Sequence, residues 1–406
     1  MTVEEKILVD LTASHINGTK PTLETENADF GEVFRLAAIH KLTPLIFSTV
    51  KKNGIALPLE TEQAMKITSR MQSVGVITRT DAYLKLLDTF KENGLHPITV
   101  KGVIVRSLYP EPHARPSADE DIYINKEEKD SFDSILLSMG FTKNQSNDED
   151  DTVTAYTSAA TGLHLEVHTS LFPEYPATNI KMNALFSGAS DRACSYDVEG
   201  HAVASLCPTD HLLFLILHSF KHFIYCGFGL RQIADFVVFA RRYKDEIDAS
   251  AITQSLRSVR ADGFFDALLK ISLLFFGADK ASLGFGAYTP RDYEVDDLAK
   301  DVISAGLYGN TDSVRLHSST ITLSAADGKK TGRLASIFPP LKIMKNRYSY
   351  VSKCPLLLPV GWAHRIISYL FDSKESSAND AAKSLEIGQK RLDMLKKYGV
   401  VDGGAK

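Results

Sequence analysis

Apolar residues recur at the spacing of amphipathic helices through residues 1–92 of the chain. The pattern predicts helices at Glu4–Ile16, Asp29–Lys41, Pro44–Lys52 and Leu59–Asn93. Glycine follows the first, third and fourth of these segments closely, as is common where a helix ends in a left-handed residue. We expect the last helix to be interrupted near Gly75. Residues 1–92 should therefore form an N-terminal helical region.

Short β-rich runs replace the helical pattern between residues 93 and 195. Strands are predicted at His96–Val100, Ser117–Asn125, Phe141–Asn144, Thr152–Ser158 and Leu163–Thr169. Helices are predicted at Val103–Tyr109 and Lys126–Met139, after the first and second strands. The resulting order, β-α-β-α-β-β-β, is typical of a small α+β core with a mixed sheet.

Helical periodicity returns at Pro208 and predicts a C-terminal helical domain over residues 196–406. Its predicted helices are Asp210–Tyr225, Leu230–Tyr243, Ile252–Val259, Phe264–Phe276, Arg291–Tyr308, Trp362–Phe371 and Ala378–Tyr398. The expected fold class is α+β, with a core at residues 93–195 between two helical regions.

Composition narrows the possible classes of protein. The 406 residues carry a net charge of −4, which argues against a protein that coats nucleic acid. Four scattered cysteines without a CxxC pair indicate neither a disulfide framework nor a structural zinc site. No apolar stretch reaches the ~20 residues of a membrane helix, and no signal-peptide pattern is present. We expect a cytoplasmic protein without nucleic-acid or membrane partners.

The most informative polar positions are Asp119 and Asp121, in a run that reads as a strand. Side chains two apart on a strand project from the same face, so the two carboxylates should lie side by side. Their like charges repel, and a divalent cation removes that cost. Hard oxygen ligands suit Mg²⁺ or Mn²⁺. A solvated strand face is the simpler explanation for the same pattern.

A second polar row is His164, Glu166 and His168, which alternate with Leu165 and Val167. If this strand neighbours the aspartate strand, Glu166 supplies a third carboxylate to a metal-dependent phosphoryl-transfer site. A His/Glu/His transition-metal site and a water-facing strand face are the alternatives.

A strand-to-helix turn at Lys101-Gly102 is the third candidate feature. Glycine there lets backbone N–H groups approach an anion, and Lys101 can neutralise a phosphate. An ordinary turn explains the same two residues.

Together these segments resemble an uncharacterised nucleotidyltransferase family of the DNA polymerase β superfamily. The resemblance rests on ITVKGVIVRSLYPEPHARPSADEDIYI, on LHLEVHTSLF and on LHSFKHFIYCGFGLRQIADF, and it extends to a C-terminal segment near residue 371. The wider superfamily usually has Gly-Ser where this chain has Lys101-Gly102, which leaves the triphosphate-binding mode open.

The resemblance implies transfer of a nucleoside monophosphate from ATP or another NTP to a hydroxyl of a small molecule or protein. It implies that Asp119, Asp121 and Glu166 hold Mg²⁺ or Mn²⁺, with His164 and His168 beside them. Nucleotide contacts are expected from Lys101, Gly102, Arg115, His218, Lys221 and His222. Rival functions are a catalytically silent nucleotide-binding or scaffold protein and a metal-dependent hydrolase.

Helix Asp210–Tyr225 carries His211, His218 and His222 on one face. The face forms either a cleft wall that contacts nucleotide or an ordinary core. Arg231 and Asp235 are four residues apart on the next predicted helix, where a structural ion pair between them is expected.

Overall fold

The computed structural model describes residues 1–24, 28–144, 152–174, 176–307, 348–371 and 377–402, together with residues 322, 338, 341, 344 and 345. Within these residues the fold is α+β, as predicted, with one mixed sheet and many helices. No described helix is both long enough and apolar enough to cross a membrane.

The N-terminal region consists of α1 (Val3–Asn17), α2 (Phe30–Ile39), α3 (Thr43–Lys52) and α4 (Leu59–Glu92). Helix α1 begins at a capping box between Thr2 and Glu5 and ends at Gly18 in the left-handed conformation. Helix α4 runs unbroken through Gly75, so the expected interruption there is wrong. A single glycine costs a helix only about 1 kcal/mol, which packing along the rest of α4 offsets.

The sheet contains β1 (Ile98–Val100), β2 (Glu120–Tyr123), β3 (Thr142–Lys143), β4 (Val153–Thr157), β5 (His164–His168), β6 (Cys194–Val198) and β7 (His201–Ser205). Their order is β3-β4-β5-β2-β1-β7-β6. The β2–β5 and β1–β7 pairs are parallel and the other neighbours are antiparallel. Helices α5 (Gly102–Arg106), α6 (Lys129–Ser138) and α7 (Ala177–Ala184) connect the strands.

The hairpin of β6 and β7 is absent from the sequence prediction. Its turn residues, Glu199 and Gly200, both have positive φ angles, of 53° and 84°. Positive φ at both residues is typical of a two-residue hairpin turn, for which Asn-Gly is the usual sequence. Because the first residue here is glutamate, the sequence gives little indication of this turn. The hairpin extends the sheet to Ser205, beyond the predicted end of the core at residue 195.

Helices α8 (Pro208–Tyr225), α9 (Leu230–Arg242), α10 (Ala249–Ser258), α11 (Asp262–Phe276) and α12 (Asp296–Ala305) follow the sheet. Further helices lie at Ser349–Lys353, Leu358–Phe371 and Ser377–Lys397. Helix α1 packs against α11, so the N- and C-terminal helices share one cluster of buried apolar side chains with the sheet. Helix α8 is buried along most of its length, which places its polar residues against the sheet.

Candidate active site

The carboxylates meet because β2 and β5 are parallel neighbours. Their register pairs Asp121 with Glu166 and Tyr123 with His168. Since alternate residues of a strand share a face, these side chains lie on one face of the sheet. The Nε2 atom of His168 lies 3.1 Å from Asp121 Oδ1 and 3.4 Å from Glu166 Oε2. The strand neighbourhood expected from the sequence is present.

Among the described residues, one group of metal-ligating atoms lies within 4.8 Å of one another, from Asp121, Glu166 and His168. Asp119 precedes β2, lines the same cavity and is half-buried, but it is not a member of this tight group. His164 is also outside it, because its Nδ1 lies 2.9 Å from Thr157 Oγ1. The transition-metal alternative required His164, Glu166 and His168. In the structure Asp121, and not His164, is grouped with Glu166 and His168.

The two aspartates differ in their electrostatic surroundings. Burial and the neighbouring Asp121 raise the pKa of Asp119. Burial acts in the same sense on Asp121, but the Lys101 ammonium and His168 outweigh it and hold the pKa of Asp121 well below its ordinary value. Opposite shifts are expected when like charges share a site and only one has close cationic partners.

His168 is a buried imidazole between two carboxylates. Burial opposes its protonation, but the hydrogen bonds to Asp121 and Glu166 raise the pKa of His168 overall. In its protonated form it donates to both carboxylates and orients them. The oxygen donors of Asp119, Asp121 and Glu166 then suit a hard divalent cation such as Mg²⁺ or Mn²⁺.

Lys101 connects the turn after β1 to the carboxylates. Its Nζ lies 3.1 Å from Asp121 Oδ2 and 3.1 Å from His218 Nε2. Its backbone has a φ of 55°, which is unusual for a residue other than glycine. Lys101 therefore faces the carboxylates, on the side where a phosphate contact is expected.

His211 holds the strained backbone of Lys101. The Lys101 N–H donates to His211 Nε2 at 3.2 Å, and His211 Nδ1 donates to Ser205 Oγ at 3.1 Å. Ser205 in turn donates to the Thr99 carbonyl at 2.6 Å. These partners require a neutral imidazole, and burial together with Lys101 lowers the pKa of His211 to about 3. His211 was not among the residues expected to contact the nucleotide. Its spacing of seven residues from His218 nevertheless placed it on the same helix face.

Position 102 requires glycine because the carboxylate of Glu120, which points away from the site, leaves no room for a Cβ atom. A Cβ atom at Gly102 would lie 2.0 Å from Glu120 Oε2. That oxygen accepts from the Val103 N–H at 2.8 Å, and the other carboxylate oxygen accepts from Arg106 at 2.8 Å. The anion at the start of α5 is therefore the protein's own Glu120, while Gly102 lines a neighbouring cavity.

Helix α8 forms the wall opposite the carboxylates. A cavity of about 260 Å³, which we call the carboxylate cavity, is lined by Lys101, Asp119, Asp121, Glu166, His168, His218, Lys221 and His222, among others. The rings of His218 and His222 are 3.3 Å apart at their Nε2 atoms. Burial and Lys101 lower the pKa of Lys221 to about 8, and burial leads the lowering of the pKa values of both histidines. Helix α8 therefore forms a wall of this cavity, opposite the carboxylates that are candidate metal ligands.

Arg115 is held by Asp235 through two hydrogen bonds, from Nε at 2.8 Å and from Nη2 at 2.6 Å. Tyr109 also donates to Asp235, at 2.7 Å. Asp235 thus takes Arg115, and not the expected Arg231, as its hydrogen-bonded ion-pair partner. Arg231 Nη1 donates to the Pro116 carbonyl at 2.6 Å, and the Arg231 charge also helps to lower the pKa of Asp235. Arg115 Nη1 is buried and has no hydrogen-bond partner among the described residues. A cavity of about 30 Å³ lies beside it, next to Lys101 and Asp119.

Comparison with known proteins agrees with the family resemblance of the sequence. A family model described as an uncharacterised nucleotidyltransferase matches residues 26–277, which is more than half of the chain. The match covers the N-terminal helices from α2 onward, the sheet and helices α8–α11, and it ends before the C-terminal segment in which the resemblance was also expected. No curated protein matches the chain.

Proposed function

The chain belongs to this family of uncharacterised nucleotidyltransferases, and on that premise we propose a divalent-cation-dependent transfer of a nucleoside monophosphate from an NTP. ATP is the first candidate donor, and the acceptor is a hydroxyl of a small molecule or protein. In the reaction the acceptor oxygen bonds to the α-phosphorus, the bond from that phosphorus to the bridging oxygen breaks, and pyrophosphate leaves with the electron pair.

The observation that carries the proposal is the pairing of Asp121 with Glu166 across parallel strands, with Asp119 in the same cavity. A sheet face without a ligand gains nothing from three neighbouring carboxylates, because they repel one another. When bound there, Mg²⁺ or Mn²⁺ would polarise the phosphate and lower the pKa of the acceptor hydroxyl. The residues that would hold it are Asp119, Asp121 and Glu166.

The carboxylates differ in their access to solvent, and this suggests different roles. The side chain of Glu166 is 38% exposed, against 6% for Asp121. Glu166 is therefore the carboxylate that can take a proton from the acceptor and release it to water. Asp121 is held in place by Lys101 and His168 and serves as a fixed negative ligand.

Cationic side chains near the carboxylates support the binding of a nucleotide's phosphates. Lys101 and Lys221 line the carboxylate cavity, and Arg115 lines the small cavity next to it. We propose that Lys101 and Arg115 bind phosphate oxygens and that the α8 wall of His218, Lys221 and His222 contacts the rest of the nucleotide. Such preorganised charges stabilise the charge that develops on the transferring phosphoryl group.

The proposal retains the predictions made from composition: a cytoplasmic protein without nucleic-acid or membrane partners. Its direct test is incubation with Mg²⁺ and ATP labelled at the α-phosphate, together with a fractionated metabolite and protein extract. We expect the label to appear on one acceptor fraction as pyrophosphate is released.

Two results would contradict this function. Release of γ-phosphate without pyrophosphate would indicate a hydrolase. Tight ATP binding without label transfer to any fraction would indicate a silent binding protein. Mn²⁺ should support the transfer in place of Mg²⁺. The Asp119→Asn/Asp121→Asn double variant serves as the inactive control.

A further inference from the structure

A second polar cavity lies at the far end of the strands that carry the carboxylates. It has a volume of about 360 Å³, within the range of small-molecule sites, and we call it the serine cavity. Its walls include Tyr123 at the end of β2, Asn125 after β2, Ser170 after β5, and Ser187, Ser190 and Asp191 after α7. None of these six residues lines the carboxylate cavity.

The serine cavity continues the face that bears the catalytic carboxylates. Tyr123 lies two residues after Asp121 on β2 and therefore projects from the same face of the sheet, and Ser170 lies two residues beyond the end of β5. Leu171 lines both the serine cavity and the carboxylate cavity. The two cavities are therefore adjacent.

The two cavities differ in whether cationic side chains line them. Lys101 and Lys221 line the carboxylate cavity, as suits phosphate groups. The lining of the serine cavity is hydroxyl, amide and apolar, with Asp191 as its charged residue. An anionic molecule there would face Asp191 and, beyond it, the three carboxylates. Hydroxyl and amide groups beside aromatic rings, Tyr123 and Phe186, instead match a neutral molecule rich in hydroxyls.

Resting on the proposed function, we propose that the serine cavity is the acceptor subsite and that it binds a neutral polyhydroxylated small molecule, such as a sugar or polyol. One hydroxyl of the bound molecule extends past His168 to Glu166. Its oxygen forms the new bond to the α-phosphorus, its proton passes to Glu166 and then to water, and pyrophosphate departs with the electrons of the broken bond. The subsite selects a small molecule over a protein side chain.

The test is saturation-transfer NMR on the full chain without metal or nucleotide. The probes are glucose, N-acetylglucosamine, inositol and glycerol, with glucose 6-phosphate as the anionic counterpart. We expect transfer to at least one neutral probe and none to glucose 6-phosphate. Ser187→Trp and Asn125→Trp each place a large ring in the cavity from an exposed position, one on the segment after α7 and the other after β2, and should each remove the signal. Ser131→Trp, at an exposed position on α6, should retain it.

Melting temperatures show that each variant is folded, and the two walls provide independent tests. Absence of signal from every neutral probe, equal signal from glucose 6-phosphate, or an undiminished signal in both cavity variants would overturn the inference. Asp121→Asn separates this inference from the proposed function, because sugar binding should survive that change while label transfer is lost. If a sugar binds in the serine cavity but no NTP ever labels it, its assignment as the acceptor subsite is wrong.

Discussion

Two buried clusters of charge lie close together in this protein and are built on opposite principles. In the first, Arg115, Asp235 and Tyr109 form a joint between the sheet and α9, in which both carboxylate oxygens of Asp235 accept hydrogen bonds. In the second, Asp119, Asp121 and Glu166 bring three carboxylates to one cavity, where Lys101 and His168 contact Asp121. In the joint one guanidinium is matched by one carboxylate, and Arg115 Nη1 remains for a phosphate contact. In the carboxylate cavity the carboxylates outnumber the cations that contact them, so the cavity has capacity for further positive charge.

We expect the Arg115–Asp235 joint to stabilise the fold and the three carboxylates to bind a cation. A buried ion pair with matched partners loses stability when one partner is removed. A cluster of like charges loses less, because part of its repulsion is relieved at the same time. Substitutions in the two clusters should therefore affect different measurements.

The largest effect on stability is expected at the joint. Asp235→Asn leaves the Arg115 guanidinium buried without its carboxylate partner, and it should lower the free energy of unfolding by about 3–5 kcal/mol. Chemical denaturation measures this loss. The matched control is Asp292→Asn, since Asp292 pairs with Lys270 while its side chain is 90% exposed. That exposed pair should contribute at most about 1 kcal/mol. Equal losses in the two variants would show that the joint has no special role.

The largest effect on activity is expected at Asp121. Asp121→Asn should reduce pyrophosphate release by about 100-fold or more, the scale on which a preorganised charge acts in a transition state. Its unfolding free energy should change by less than that of Asp235→Asn, since Asp119 and Glu166 still face Lys101 and His168. A pyrophosphate-release assay and denaturation curves of the same samples provide both values.

Glu120 provides a control one residue away. It is 2% exposed, points to the opposite face and bonds to Arg106 and Val103. Glu120→Gln should therefore reduce stability while magnesium affinity is retained. Loss of magnesium affinity in Glu120→Gln would mean that strand geometry, and not the Asp121 charge, limits metal binding.

Substitution of Lys101 should have smaller effects, of opposite sign on metal affinity and on nucleotide affinity. Its ammonium and a metal ion compete for the same oxygen, Asp121 Oδ2, 3.1 Å from Nζ. Lys101→Ala should tighten Mn²⁺ binding in the absence of nucleotide and weaken ATP binding in its presence. Isothermal titration of each ligand measures the two affinities. Weaker Mn²⁺ binding in the variant would show that the lysine orders the site rather than occupying the place of the cation.

The smallest effect at neutral pH is expected at His40, outside both clusters. Burial lowers the pKa of His40 from 6.5 to about 4, and its Nδ1 accepts from the Leu230 N–H at 3.3 Å. The unfolded state therefore binds a proton that the native state does not between pH 6.5 and about 4. Its stabilising contribution is complete above pH 6.5 and is lost as the pH falls, by up to about 1.4 kcal/mol per pH unit.

Denaturation at stepped pH values tests this contribution. His40→Asn should have a shallower decline in stability below pH 6.5 than the parent protein. His96→Asn is the control, since His96 is exposed. Identical slopes in the parent and His40→Asn would show that His40 is not the group that titrates.

Part of the geometry of the candidate site was predictable from residue order alone. Alternation placed Asp119 and Asp121 on one face of their strand, and Glu166 and His168 on one face of theirs, because strand side chains repeat every two residues. Helical spacing placed His211, His218 and His222 on one face of a helix, with Lys221 beside that face. These inferences depend only on local backbone geometry, which the sequence specifies through its apolar pattern.

Pairings across the fold were decided by the tertiary structure. Asp235 has Arg231 one helical turn away but bonds to Arg115, which precedes it by more than a hundred residues. The neutral state of His211 and the requirement for glycine at position 102 both come from neighbours on other elements, Ser205 and Glu120. The sequence by itself thus determined which side chains share a face of each element. Their partners depended on how strands and helices pack, because burial and contact distance arise only when remote segments meet.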